Sequence, residues 1–146
     1  MAFFDLISMS VGILYFIPLI FYIITKNPVH LKAFVGAGST TIISETLKKL
    51  IGKISPRPYG AKNCNLQCDD GNQSGQPGMP SSHSATVAFF SAFYFQETNN
   101  IFVKVALIGY AGLVMISRYV KRCHSIPQIV GGTILGVSLS FIVRHL

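Results

Sequence analysis

Charge is scarce in this sequence. Of its 146 residues 12% are charged and only five are acidic, against roughly 25% charged in an average soluble domain. Half the residues are hydrophobic and the mean hydropathy is +0.49. That combination excludes an ordinary soluble domain and indicates a membrane protein. The few carboxylates form no cluster suited to a divalent cation. Cysteine is sparse too: Cys64 and Cys68 share one polar stretch, and Cys123 stands apart. A C-x3-C pair without a second ligand pair does not make a zinc site, which leaves a Cys64–Cys68 disulfide or free thiols. No internal repeat is present, and the length suits one domain, 1–146.

The strongest positive signal is Ile7 to Thr25, which carries no charge. At 1.5 Å per residue it spans about 28 Å, close to the thickness of the hydrocarbon core. It has no cationic leader and no small-residue cleavage site, so it reads as a retained membrane helix rather than a signal peptide. Pro18 within it would produce a tolerated kink. Further helices are expected near 33–50, 82–96, 101–120 and 126–143. KNPVHLK reads as a turn after the first. The fold class is therefore all-α: an integral membrane helical bundle of about five transmembrane helices. Gly132 and Gly136 make a GxxxG, a face for close approach by another helix, and a homo-oligomer is compatible with it. Residues 53–80 are rich in Gly, Pro, Asn and Asp and read as a long, functional loop.

The net charge of +7 does not point to nucleic acid, because the cations do not line one soluble face. They gather in two inter-helix regions, 48–62 and 118–122. With five crossings, both regions and the start of the 82–96 helix fall on the same side of the bilayer. Anionic lipid headgroups or phosphate substrates are the expected partners. Eight cations lie on that side and four on the other. Setting aside three as phosphate ligands leaves five against four, so positive-inside counting does not orient the chain.

Three stretches on that face carry chemistry: LKKLIGKISPRP (47–58), GMPSSH (78–83) and SRYVKRCHSIPQ (117–128). Fixed Lys and Arg can neutralise phosphoryl oxygens without reorganising. A helix start headed by Ser81 or Ser82 offers backbone N–H groups to an anion. Two histidines can divide the work of phosphoryl transfer, one attacking phosphorus as neutral imidazole and one protonating the leaving oxygen. His30 and His145 read as hydrated interfacial residues, and Lys53, Lys62, Lys121 and Arg122 as headgroup contacts or topology signals. Glu45 and Lys49 read as a helix-surface pair, and Asp69 and Asp70 as groups that solvate the loop.

The trio resembles the type 2 phosphatidic acid phosphatase superfamily, whose pattern runs K-x6-RP, PSGH, then SR-x5-H-x3-D. Arg57-Pro58 matches the first motif, Pro80-Ser81-Ser82-His83 the second with Ser for Gly, and Ser117-Arg118 with His124 the third. The resemblance implies that Lys49, Arg57 and Arg118 bind phosphate, with hydrogen bonds from Ser81 and the Ser82 backbone. His83 would be the general acid and His124 the nucleophile, passing through a phosphohistidine with no metal or cofactor. Two departures stand out. Seven residues separate Lys49 from Arg57, and eight separate Lys48. The final Asp is Gln128, which would orient His124 but adds no countercharge. Gln there, together with GMPSSH, resembles the dolichyl diphosphatase branch. That implies a polyprenyl diphosphate substrate, with phosphatidic acid as the alternative and a silent lipid-binding relative as another. It also implies an endoplasmic reticulum membrane if the source is eukaryotic or viral, otherwise a plasma membrane. A luminal site would favour a Cys64–Cys68 disulfide.

Overall fold

The computed structural model describes residues 3–146 and is all-helical, with no strand among the described residues. Helix α1 is one rod, Phe3–Met9 and Ile13–Thr25, joined by a 3-10 turn at Ser10–Gly12. It runs through the buried Pro18. It is followed by α2 (Pro28–Ile51), α3 (Ser82–Glu97), α4 (Ile101–Val120) and α5 (Ile126–His145). Three of these are long and apolar enough to cross a membrane on their own: Phe3–Thr25, Ile101–Val120 and Ile126–His145.

The expected turn at KNPVHLK is shorter than its composition suggests. Only Lys26, at φ 56°, and Asn27 lie outside helix. Asn27 accepts a hydrogen bond from the Val29 amide and Pro28 occupies the first turn, where a missing N–H costs nothing. The cap therefore starts α2 several residues before its apolar run begins.

Helix α3 is the centre of the bundle. Ala85, Val87, Phe89 and Phe93 on it are fully buried. Its core packs Phe89 and Phe93 against Ala33 and Ala37 of α2, while Val87 and Phe90 join Val11, Leu14 and Val114. The GxxxG face of α5 lies against α3 of the same chain, not against a free surface. A Cβ on Gly132 would come within 2.4 Å of the Ser81 carbonyl oxygen, and one on Gly136 within 2.1 Å of that of Ala85. This backbone-to-backbone approach seats the start of α5 beside the start of α3.

The long loop is not structureless. Its two arms pair as a hairpin-like flap, with isolated antiparallel bridges Pro56–Pro77 and Lys62–Asn72. Arg57 N–H donates to Gln76 O at 2.7 Å, Gln73 to Ala61 at 2.8 Å and Gly78 to Ser55 at 3.0 Å. The flap is tied to the α4–α5 connection by a Cys64–Cys123 disulfide, with both cysteines buried. Neither reading left open by the sequence, a Cys64–Cys68 disulfide or all free thiols, holds. Cys68 is free, and its sulfur accepts a hydrogen bond from Lys121 Nζ at 2.9 Å. Lys121 is likewise not a headgroup contact: it pairs with Asp5 at 2.6 Å and donates to Asn63 O.

Candidate active site

A cavity of about 330 Å³ opens beneath the flap, between α1, α2 and α3. It gathers Lys48, Arg57, Ser82, His83 and His124. Successive antiparallel helices place every second connection on the same face, which brings the flap and the α4–α5 connection together. The proposed acid and nucleophile line one cavity.

His124 follows the disulfide cysteine and precedes the capping box of α5, in which Ser125 and Gln128 cap each other. Its Nδ1 lies 3.0 Å from Gly78 O and 3.3 Å from Gln128 Oε1. The first is a carbonyl, an acceptor only. The second is oriented by its own partners: Gln128 Oε1 accepts from Ser125 N–H at 3.1 Å, while Gln128 Nε2 donates to Pro56 O at 2.8 Å and Ser55 O at 3.1 Å. Both neighbours of Nδ1 are therefore acceptors, and Nδ1 must carry the proton. In the neutral ring the lone pair is then on Nε2. Burial pushes the His124 pKa well below its ordinary 6.5. The positive charges of Arg118, Arg57 and Lys48 act in the same direction, and the Gln128 hydrogen bond opposes them. The ring is neutral near pH 7 and is held in the tautomer that a nucleophile needs. Gly78 makes this contact possible, since a Cβ there would fall 2.6 Å from Gln128 Nε2.

His83 lies in the first turn of α3, and its Nε2 is buried without a protein hydrogen-bond partner. Arg57 hangs from the flap. Its NH1 donates to Cys123 O at 3.4 Å and its Nε is buried without a partner. Burial lowers the Arg57 pKa, with Asp70 and Glu45 opposing the shift. Unpaired buried donors are costly. Here they belong to side chains of the cavity wall, as expected of a site that an anion completes.

The lysine that faces the cavity is Lys48, 8% exposed, not Lys49, which is exposed. On a helix, successive residues turn by about 100°. Lys48 therefore shares a face with Thr41 and Glu45, and Lys49 points away from it. The longer spacing to Arg57 is absorbed where α2 ends at Gly52, φ 59°, and a 3-10 turn covers Gly52–Ile54. Glu45 pairs with Lys48 at 2.6 Å rather than with Lys49.

Ser82 accepts a hydrogen bond from Lys48 Nζ at 2.8 Å and donates one to Glu45 Oε1. Ser82 lines the cavity, and its hydroxyl is tied to two other lining residues. Ser81 does not line it: it caps α3, accepting from Ser84 N–H at 3.4 Å. Arg118 is also displaced from the wall. It is fully buried, donating to Ser8 Oγ and Cys64 O, and acts on the site as a charge behind the wall.

Glu45, Asp70, Tyr15, Thr41 and Thr86 also line the cavity. Asp70 does more than solvate the flap, because it accepts from Cys64 N–H at 2.6 Å. For Glu45 a signal was available: a carboxylate within a membrane helix is expensive and marks function by default. The others lie on segments whose facing is set only by packing.

A neutral imidazole with a free Nε2, a second imidazole with a buried Nε2 and two cations round one cavity are the parts of a phosphoryl-transfer site. The sequence model of the PAP2 superfamily matches residues 29–146. The chain belongs to the PAP2 superfamily. Its members are phosphatases, so this PAP2 protein acts on phosphorylated substrates, and its apolar helices place it in a membrane. Comparison with curated proteins and with solved structures yields no match.

Proposed function

We propose that this PAP2 protein hydrolyses a polyprenyl diphosphate of the dolichyl type to the monophosphate, through a phosphohistidine on His124. The observation that carries the reading is the double acceptor environment of His124 Nδ1, which leaves Nε2 free beside His83, Lys48 and Arg57. In the first step Nε2 attacks the terminal phosphorus and the bridging P–O bond breaks. His83 delivers its proton to the departing oxygen, while Lys48 and Arg57 hold the equatorial oxygens. In the second step His83 takes a proton from water, the hydroxide attacks phosphorus, the P–N bond breaks and inorganic phosphate leaves. No residue in this sequence of steps requires a metal or cofactor. Gln128 supports turnover rather than a silent relative, since it holds the His124 tautomer that an Asp would hold. The Cys64–Cys123 disulfide favours an oxidising compartment for this face, consistent with a luminal site in the endoplasmic reticulum.

The test uses the full chain in detergent, with phosphate release measured from a polyprenyl diphosphate and from phosphatidic acid, with and without EDTA. Quenching in base should trap an acid-labile phosphoprotein. His124→Ala should abolish both turnover and labelling, and His83→Ala should slow turnover. Turnover that survives His124→Ala would overturn the mechanism, and a preference for phosphatidic acid would overturn the substrate.

A further inference from the structure

The inner end of the cavity is a wall of hydroxyls. Tyr15 from α1, Thr41 from α2 and Thr86 from α3 all line it. Tyr15 Oη is 2.5 Å from Thr41 Oγ1, which is 3.0 Å from Thr86 Oγ1 and 3.3 Å from the Ala37 carbonyl oxygen. Tyr15 Oη and Thr86 Oγ1 are 3.4 Å apart. Thr86 is one turn further along α3 than His83 and on the same face. Thr41 lies two turns inward from Lys48, about 10 Å along the axis. The hydroxyls thus sit beyond the reacting centre, towards the membrane interior.

We propose that Tyr15, Thr41 and Thr86 form the leaving-group subsite and receive the phosphoryl group that departs still attached to the lipid. This rests on the diphosphate reading above and deepens it. In an inline displacement the leaving group lies opposite His124 Nε2, on the side of the acid His83. Because the tail must reach the bilayer, the atoms next to the bridging oxygen pass the hydroxyl wall. In a lipid monophosphate those atoms are a methylene, which offers the hydroxyls no acceptor. In a diphosphate they are a second phosphoryl group with acceptor oxygens. The three hydroxyl protons are shared among four contacts, three within the wall and one to Ala37 O. Hydroxyl rotors turn to suit their partners, so the wall can turn a proton outward to a phosphoryl oxygen. The nearby Glu45 carboxylate is already held by Lys48 and Ser82.

The test compares Thr86→Val and Tyr15→Phe with wild type, using the detergent-solubilised full chain on farnesyl diphosphate and farnesyl monophosphate. Each variant should lower kcat/KM for the diphosphate by about tenfold, the effect of one good hydrogen bond lost in the transition state. Gel filtration and thermal unfolding in detergent should match wild type for each variant, which reports folding independently of turnover. Tyr15→Phe keeps its ring packing and serves alone if Thr86→Val does not fold. A folded variant with unchanged kcat/KM for the diphosphate overturns the subsite but not the diphosphate reading. Wild type cleaving the monophosphate only overturns both.

Discussion

The superfamily pattern places Asp where this chain has Gln128, which suggests at first sight that a carboxylate there improves the enzyme. The structure argues the reverse. In Gln128→Glu the side chain keeps its length and its Oε1, which receives Ser125 N–H at 3.1 Å. The amide NH2, however, becomes a carboxylate oxygen pointed at the carbonyl oxygens of Pro56, 2.8 Å away, and Ser55, 3.1 Å away. Ser55 O keeps the Gly78 N–H, whereas Pro56 O loses its donor, and one buried acceptor left unsatisfied costs about 1–3 kcal/mol. The new charge also acts on His124. Two unit charges about 4 Å apart, at an effective dielectric near 20, interact by about 4 kcal/mol, equivalent to about three pKa units. His124, the proposed nucleophile, would then be held protonated near neutral pH. Gln128→Glu should therefore unfold more easily by about 1–3 kcal/mol in denaturant titrations in detergent, and should release phosphate more slowly at pH 7. Gln128→Met removes the same hydrogen bonds without the charge, so it should share the instability but leave the ionisation of His124 low. A Glu variant as stable as wild type and at least as active would refute the reasoning.

Three other outcomes are expected. Because His124 is held well below 6.5, its free ring stays neutral through mild acid, so the rate of inactivation by diethyl pyrocarbonate should reach half its maximum below pH 6.5; a midpoint at or above 6.5 would contradict this. The linked stability has the same sign: below about pH 6.5 the unfolded chain binds a proton that the folded one refuses, so the contribution of His124 is present above that pH and is lost as pH falls towards its folded pKa. Lys48→Met should cut kcat/KM for phosphate release by about two to three orders of magnitude, whereas Lys49→Met, on the exposed face, should change it less than about twofold. Alkylation of the unfolded, unreduced chain should label Cys68 alone, and the Cys64→Ser/Cys123→Ser double variant should lose about 4 kcal/mol for a loop of 59 residues; mass spectrometry and denaturant titration read the two outcomes.

The helices were legible in the sequence because lipid enforces them. A chain in hydrocarbon must satisfy its own backbone, so apolar runs bounded by Gly, Pro and Asn become helices within a few residues of where composition puts them. The pairing of His83 with His124 was legible for a related reason: counting crossings assigns each inter-helix region to a face. The GxxxG at 132–136 announced a close contact, but not that its partner would be α3.

Azimuth and distance were decided only by the tertiary structure. Whether Lys48 or Lys49 enters the cavity depends on a rotation of about 100° about α2, and that rotation is fixed by how Ala33, Ala37 and Gly36 seat against Phe89. The Cys64–Cys123 bond, the retreat of Arg118 behind the wall and the lock of Gln128 on Ser55 and Pro56 all depend on where the flap comes to rest. Sequence spacing carries the period of a helix and the number of its crossings. It does not carry which atoms of separate segments come within 3 Å, because that follows from packing summed over the whole bundle.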